Sequence, residues 1–166
     1  LHDVGEGTSK ANSAIIHTGY DAKPGSLESK LLHEASADWP GLAARLKIPL
    51  DPIGGIMMAV TDEQERQLEA AEKNAHANRA TDVRILSAAE IRECEPNASP
   101  DVRGGLLVPG ESLVDPFMAS IAYAEIALAN GVDILLGADI AGVELGQPPG
   151  APLHHLVTAD GHRLPA

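Results

Sequence analysis

Cysteine is nearly missing: Cys94 is the one thiol in 166 residues. No internal disulfide can form, and zinc or iron–sulfur sites built on several cysteines are excluded within the chain. That usage fits the reducing cytoplasm, where the protein is expected. Aromatic residues make up 2% of the sequence, too few for the stacking surfaces that hold bases. Basic residues are scarce as well, with twelve Lys and Arg against twenty-four Asp and Glu and a net charge of −12. Such a surface repels polyanions, so nucleic acid and anionic membranes are excluded as general partners, and a small anion would need a local basic site. No apolar run approaches the roughly 20 residues that span a bilayer. The charged, Gly-rich start is no signal peptide. The expectation is therefore no integral membrane segment, with peripheral membrane association left open for a larger parent protein.

What is present is an alanine-rich and aliphatic chain, 44% hydrophobic, long enough for one domain with a sizeable core. Leu1 is no initiator methionine, and the chain stops at Leu164-Pro165-Ala166 after an apparent hairpin. It reads as an internal segment of a longer protein.

One stretch, Gly7 to Tyr20, concentrates site-like chemistry. Thr8, Ser9, Asn12 and Ser13 offer short hydrogen-bonding side chains, and Gly7 and Gly19 let the backbone approach a flat or phosphorylated ligand. Ile15-Ile16 anchors the stretch in a core and holds His17 at its edge. The same composition also makes an ordinary capped turn. Gly5-Glu6-Gly7-Thr8-Ser9-Lys10 imitates a dinucleotide fingerprint, but Lys10 replaces the third glycine and no strand fits in front of it, so it is not read as a pyrophosphate loop.

Further along, Leu27, Leu31, Ala35 and Trp39 mark one face of a helix from about Ser26 to Asp38, which Pro40 should stop or kink. Trp39 is read as a core residue. Ile53 to Val60 reads as a buried strand in which Gly54 and Gly55 mark a bulge or a close approach. Capping-box patterns at Thr61/Gln64 and Ser87/Glu90 start two helices, the first over about 62–78 with Leu68, Ala71 and Ala75 inward, the second ending before Pro96. Cys94 on the second is read as a packed, unreactive thiol. Gly104 to Pro109 reads as a strand. Asp115-Pro116 opens a helix that Asn130-Gly131 closes. Val132 to Leu136 and Ile140 to Leu145 are predicted strands that suggest a helix-to-parallel-strand return. Gly146 to Pro152 reads as a loop and Leu153 to Thr158 as a strand entering a turn. Adjacent His154 and His155 point to opposite faces of that strand, and no metal site is read.

The Gly7–Leu27 stretch resembles the segment after the second strand of FAD-dependent oxidoreductases of the D-amino-acid-oxidase superfamily. Within it, the chain is most similar to FAD-dependent glycerol-3-phosphate dehydrogenases and relatives that include 2-hydroxyglutarate oxidases. Further matching points follow in order: Pro24-Gly25-Ser26-Leu27, Ile48-Pro49, Glu95-Pro96, Val114-Asp115-Pro116 and Asn130-Gly131-Val132. The resemblance implies a mixed α/β fold, part of a dinucleotide-binding α/β domain (1–46 and 115–166) with an inserted α+β substrate-domain segment on a mixed sheet (47–114). It implies FAD as cofactor, with Gly7, Thr8, Ser9, Asn12, Ser13 and Gly19 in its binding loop and His17 catalytic beside the isoalloxazine. The first strand, its Gly-rich phosphate turn and the ribose-binding acid are expected upstream of Leu1. A later flavin-contacting turn is expected beyond Ala166. The implied reaction is oxidation of a small anionic secondary alcohol, glycerol 3-phosphate first and a 2-hydroxy acid second. A non-catalytic binding domain is the alternative outside enzymes. Many glycerol-3-phosphate dehydrogenases place an arginine shortly after this histidine, and His17 to Ala22 contains none. Lys10, Lys23 and Arg103 read as solvated surface charges.

Overall fold

Helix starts written into the sequence organise the fold of the computed structural model, which describes residues 2–145 and 154–165. The chain divides into two compact units, Ser13–Ala122, and Leu1–Asn12 with Tyr123–Ala166.

The larger unit runs through β1 (Ile15–Ile16), α1 (Leu27–Leu46), β2 (Leu50–Asp51), β3 (Gly55–Ala59), α2 (Asp62–Ala77), β4 (Arg84–Ser87), α3 (Ala88–Cys94), β5 (Gly104–Val108), β6 (Ser112–Val114) and the start of α4 (Pro116–Ala129). One antiparallel sheet has the order β1-β6-β2 and a second β3-β5-β4. Both predicted capping boxes form. Thr61 Oγ1 accepts the Gln64 N–H while Gln64 Oε1 accepts the Thr61 N–H, each at 3.2 Å, and Ser87 and Glu90 repeat the exchange. The N–H of Ser87, then its hydroxyl and Arg84, hold the Glu90 carboxyl below its usual range. Asp115 Oδ1 caps α4 by accepting the N–H groups of Phe117 and Met118 at 2.9 and 3.0 Å.

Three apolar clusters hold these elements. Ala59, Leu68, Ala75, Val83, Leu106 and Val108 bury α2 against the β3-β5-β4 sheet, with Ala71 partly buried beside them as its helix face requires. Leu86, Ile91 and Val102 fix α3. Ala43, Ile48, Ala119 and Ala122 join α1 to α4, with Trp39 packed at their edge. Asn78 is the buried polar tie: its Nδ2 donates to the Ala22 carbonyl at 2.7 Å, and its Oδ1 accepts from Ser29 Oγ at 2.7 Å.

Several expectations need correction. Pro40 does not stop α1, which continues to Leu46. Pro40 is exposed, and burial of Ala43 in the turn after it holds the last turns of the helix in place. Leu27 and Leu31 are not core residues but 69% and 53% exposed. A four-residue spacing drifts about 40° per step around a 3.6-residue helix, so the Leu27–Trp39 line swings from an open face onto the core. Cys94 is exposed rather than packed, since it lies at the last position of a short helix whose inward residue is Ile91.

The smaller unit carries a 3-10 turn at Thr8–Lys10 and an antiparallel sheet of order β7-β8-β9, made by Ile140–Glu144, His155–Thr158 and Arg163–Pro165. No strand forms over 132–136. Every pairing among the described residues is antiparallel, and none engages this segment, so the predicted parallel return has no ladder to join. The loop expected over 146–152, and Leu153 at the start of the strand that followed it, lie outside the described residues. No helix of the described residues is long and apolar enough to cross a membrane.

Candidate functional site

His17 is placed by a two-residue strand. β1 pairs with β6 through Ile15↔Leu113 and Ile16↔Ser112, and Ala14, held at φ 60, accepts the Val114 N–H at 2.8 Å. The next residue along, His17, leaves the sheet with its side chain 44% exposed. Its Nδ1 lies 3.5 Å from Oε1 of Glu111, whose own side chain is 8% exposed. The same oxygen accepts the Thr18 N–H at 3.2 Å. Glu111 follows the turn that ends β5, where its N–H donates to the Val108 carbonyl at 3.4 Å and its carbonyl accepts the Gly54 N–H at 2.9 Å. Of the two readings of Gly54-Gly55, the structure shows a close approach at Gly54, where a Cβ would stand 3.3 Å from Pro109 Cα and from the Val108 carbonyl, while Gly55 is in ordinary contact with the Glu111 side chain, Oε2 lying 3.6 Å from its would-be Cβ.

The residues after His17 seal this corner. Gly19 is buried with φ 77, and a Cβ there would come within 3.0 Å of Leu32 Cβ, so only glycine fits both the turn and the contact with α1. Tyr20 packs against the core beneath α2. Burial first, then the charges of Asp21 and Glu111, push its phenol above the ordinary value of 10.0.

The other sequence-predicted residues divide between the units. Ser13 lies in the larger one, where its Oγ accepts the Ile15 N–H at 3.5 Å. Gly7, Thr8, Ser9 and Asn12 lie in the smaller one and build a single tight turn. Gly7 and Thr8 accept the N–H groups of Lys10 and Ala11 at 3.4 and 3.0 Å, and Asn12 Nδ2 donates to the Ser9 carbonyl at 2.7 Å. All four are exposed. The turn leads into β1 rather than into an α-helix. Glu111 is the residue that sequence reasoning missed. In sequence it is one acid after Pro109-Gly110, and only the fold brings it to His17.

Residues 2–165 match the family model of FAD dependent oxidoreductases. The chain belongs to this family. It is 36% identical over 143 residues to a glycerol 3-phosphate dehydrogenase from Caloramator mitchellensis, a match covering 86% of this chain and 30% of that protein. An L-2-hydroxyglutarate dehydrogenase from Escherichia coli (strain K12) is 28% identical over 132 residues, covering 80% of this chain and 31% of its own length. Among solved structures, the dithionite-reduced L-alpha-glycerophosphate oxidase of Mycoplasma pneumoniae with FAD bound superposes with a TM-score of 0.84 at 27% identity. That match covers 96% of this chain and 41% of the oxidase. The chain spans about a third of the length of the curated relatives it matches.

One feature of the larger unit fits a bound group such as a flavin. Thr18 Oγ1 is buried and has no hydrogen-bond partner among the described residues. A hydroxyl so placed costs about 1–3 kcal/mol until something bonds it. A basic centre for an anion is harder to find. Arg103 is engaged by Asp62, and by Glu65 at 3.6 Å. Among the described residues no group of three or more His, Cys, Asp or Glu is arranged to hold a metal ion.

Proposed function

We propose that the chain is part of an FAD-dependent dehydrogenase or oxidase that converts a small anionic secondary alcohol to the ketone, with glycerol 3-phosphate as leading substrate and dihydroxyacetone phosphate as product. The observation that carries this reading is His17. In a member of this family it is a half-exposed imidazole, with a buried carboxylate 3.5 Å from one nitrogen, on the stretch that resembles the family's flavin segment.

Flavin, when bound, supplies the hydride acceptor. The chain's own part is to orient the alcohol and take its hydroxyl proton, and His17 is assigned both tasks because an imidazole exchanges protons near neutral pH. Gly7, Thr8, Ser9, Asn12, Ser13 and Gly19 are assigned to the cofactor loop. Residues 1–46 and 115–166 are read as cofactor-domain segments and 47–114 as substrate-domain material. The principal pyrophosphate contact is assigned outside these 166 residues; in support, no three-glycine turn between strand and helix occurs among the described residues.

A second reading, oxidation of a 2-hydroxy acid, is favoured by the absence of arginine from His17 to Ala22. Likeness to an L-2-hydroxyglutarate dehydrogenase supports it too. Anaerobic mixing of the intact, flavin-loaded parent protein with each candidate separates the two. Glycerol 3-phosphate is expected to bleach the oxidised flavin band. If 2-hydroxyglutarate bleaches it and glycerol 3-phosphate does not, the second reading replaces the first. If no alcohol, hydroxy acid or amino acid does, the enzyme reading fails.

A further inference from the structure

We propose that Glu111 is the positioning residue of His17: its buried carboxylate holds the Nδ1 side of the imidazole and leaves Nε2 as the nitrogen that receives the substrate proton. The proposal rests on His17 as proton acceptor and deepens it.

Burial is the first argument. A carboxylate taken out of water is costly unless it is partnered. Glu111 has two partners among the described residues, the Thr18 N–H at 3.2 Å and His17 Nδ1 at 3.5 Å, and no lysine or arginine forms an ion pair with it. His17 is thus the one side chain that can answer its charge.

Rigidity is the second. Both backbone groups of Glu111 are bonded, to Val108 on one side and Gly54 on the other. Glu111 directly precedes β6, the strand that pairs with β1 and so sets the position of His17. The Thr18 N–H binds the same Oε1 that faces the His17 ring, so the carboxylate is aimed by the backbone next to the ring it orients.

The third argument is the chemistry of the ring. A neutral imidazole carries its hydrogen on one nitrogen and a lone pair on the other. With a carboxylate at Nδ1, the hydrogen is held there and the lone pair falls on Nε2, which no hydrogen bond or ion pair engages among the described residues. A separation of 3.5 Å is long for a finished hydrogen bond, as is usual before substrate closes a site. A carboxylate that only capped the Thr18 N–H would give no reason for a histidine at residue 17.

The test is the tautomer of His17, read from long-range 1H–15N spectra of the histidine-labelled chain at a pH where the imidazoles are neutral. His17→Asn assigns the signal, and exposed His76 serves as internal reference. Wild type is expected to show His17 mainly as the Nδ1–H form. Glu111→Leu should return it to the distribution of His76. Glu111→Gln can still accept the Thr18 N–H, so it keeps the fold testable if the leucine variant does not fold, and it too should lose part of the Nδ1–H preference. In the intact, flavin-loaded parent protein Glu111→Gln should lower kcat at least about tenfold with little change in KM. A His17 tautomer indifferent to both substitutions, in a protein whose His17→Asn variant is inactive, overturns the role of Glu111 and leaves the proposed function standing. Unchanged turnover in His17→Asn overturns the function of His17 instead, whatever the tautomer does.

Discussion

Gly110 and Thr18 pack so closely that a Cβ added at Gly110 would fall 2.9 Å from Cγ2 of Thr18. Thr18 is the residue whose N–H secures the Glu111 carboxylate, so a side chain at Gly110 would push on the corner that holds His17. Gly110→Ala is expected to destabilise the chain by about 1–3 kcal/mol, the usual range for overpacking. It should also speed hydrogen exchange at the Thr18 amide. Urea unfolding with an unchanged midpoint and an equally protected Thr18 amide would show that the corner yields freely.

The helices were legible because their signals are local. Thr61 with Gln64, Ser87 with Glu90, and Asp115 with Pro116 each carry a complete start instruction within four residues, and each works in the fold. β1 and β2 were not legible, since two residues are too few to show a period. They exist because β6 brings partners from far along the chain, as in Ile15↔Leu113 and Leu50↔Val114. Pro40 shows local propensity losing to packing, with Ala43 buried and Trp39 and Leu46 partly buried around it. The candidate site divides in the same way. His17 stands out in sequence beside an apolar pair, whereas Glu111 acquires meaning only from its distance to His17 and Thr18.

Tyr20 makes stability sensitive to alkali. Its phenol is held above the ordinary value of 10.0, mainly by burial, so the folded chain keeps the proton more firmly than the unfolded chain does. The contribution is complete below pH 10 and is lost as the pH rises through the folded value. Unfolding midpoints should therefore fall more steeply above pH 10 in wild type than in Tyr20→Phe, which keeps the ring and removes the titration. Parallel curves for the two proteins would mean that Tyr20 is not the group responsible.

The 166-residue chain on its own should bind FAD weakly or not at all. The Thr8–Lys10 turn supplies hydroxyls, but it leads into β1 rather than into an α-helix N-terminus that could hold a pyrophosphate. Equilibrium dialysis against FAD, followed at the flavin absorbance, measures this directly. A yellow protein that retains one flavin per chain after gel filtration would show that the pyrophosphate site lies within these residues after all.

Removing the His17 imidazole should cost catalysis far more than folding. The side chain is 44% exposed, and its one ion-pair contact is with Glu111 at 3.5 Å, so little apolar packing goes with it. Its loss leaves Glu111 with only the Thr18 N–H, a penalty reduced by the water that reaches an opened edge, and the expected destabilisation of His17→Ala is about 1 kcal/mol. The loss of a proton acceptor held in place is larger, about 10²- to 10⁴-fold in turnover. Steady-state rates of the variant in the intact, flavin-loaded parent protein, set beside its thermal midpoint, separate the two effects. The site reading requires a small fall in midpoint and a large fall in kcat. Normal turnover together with a large loss of stability would make His17 a structural partner of Glu111, and the proton acceptor would have to be sought on other residues.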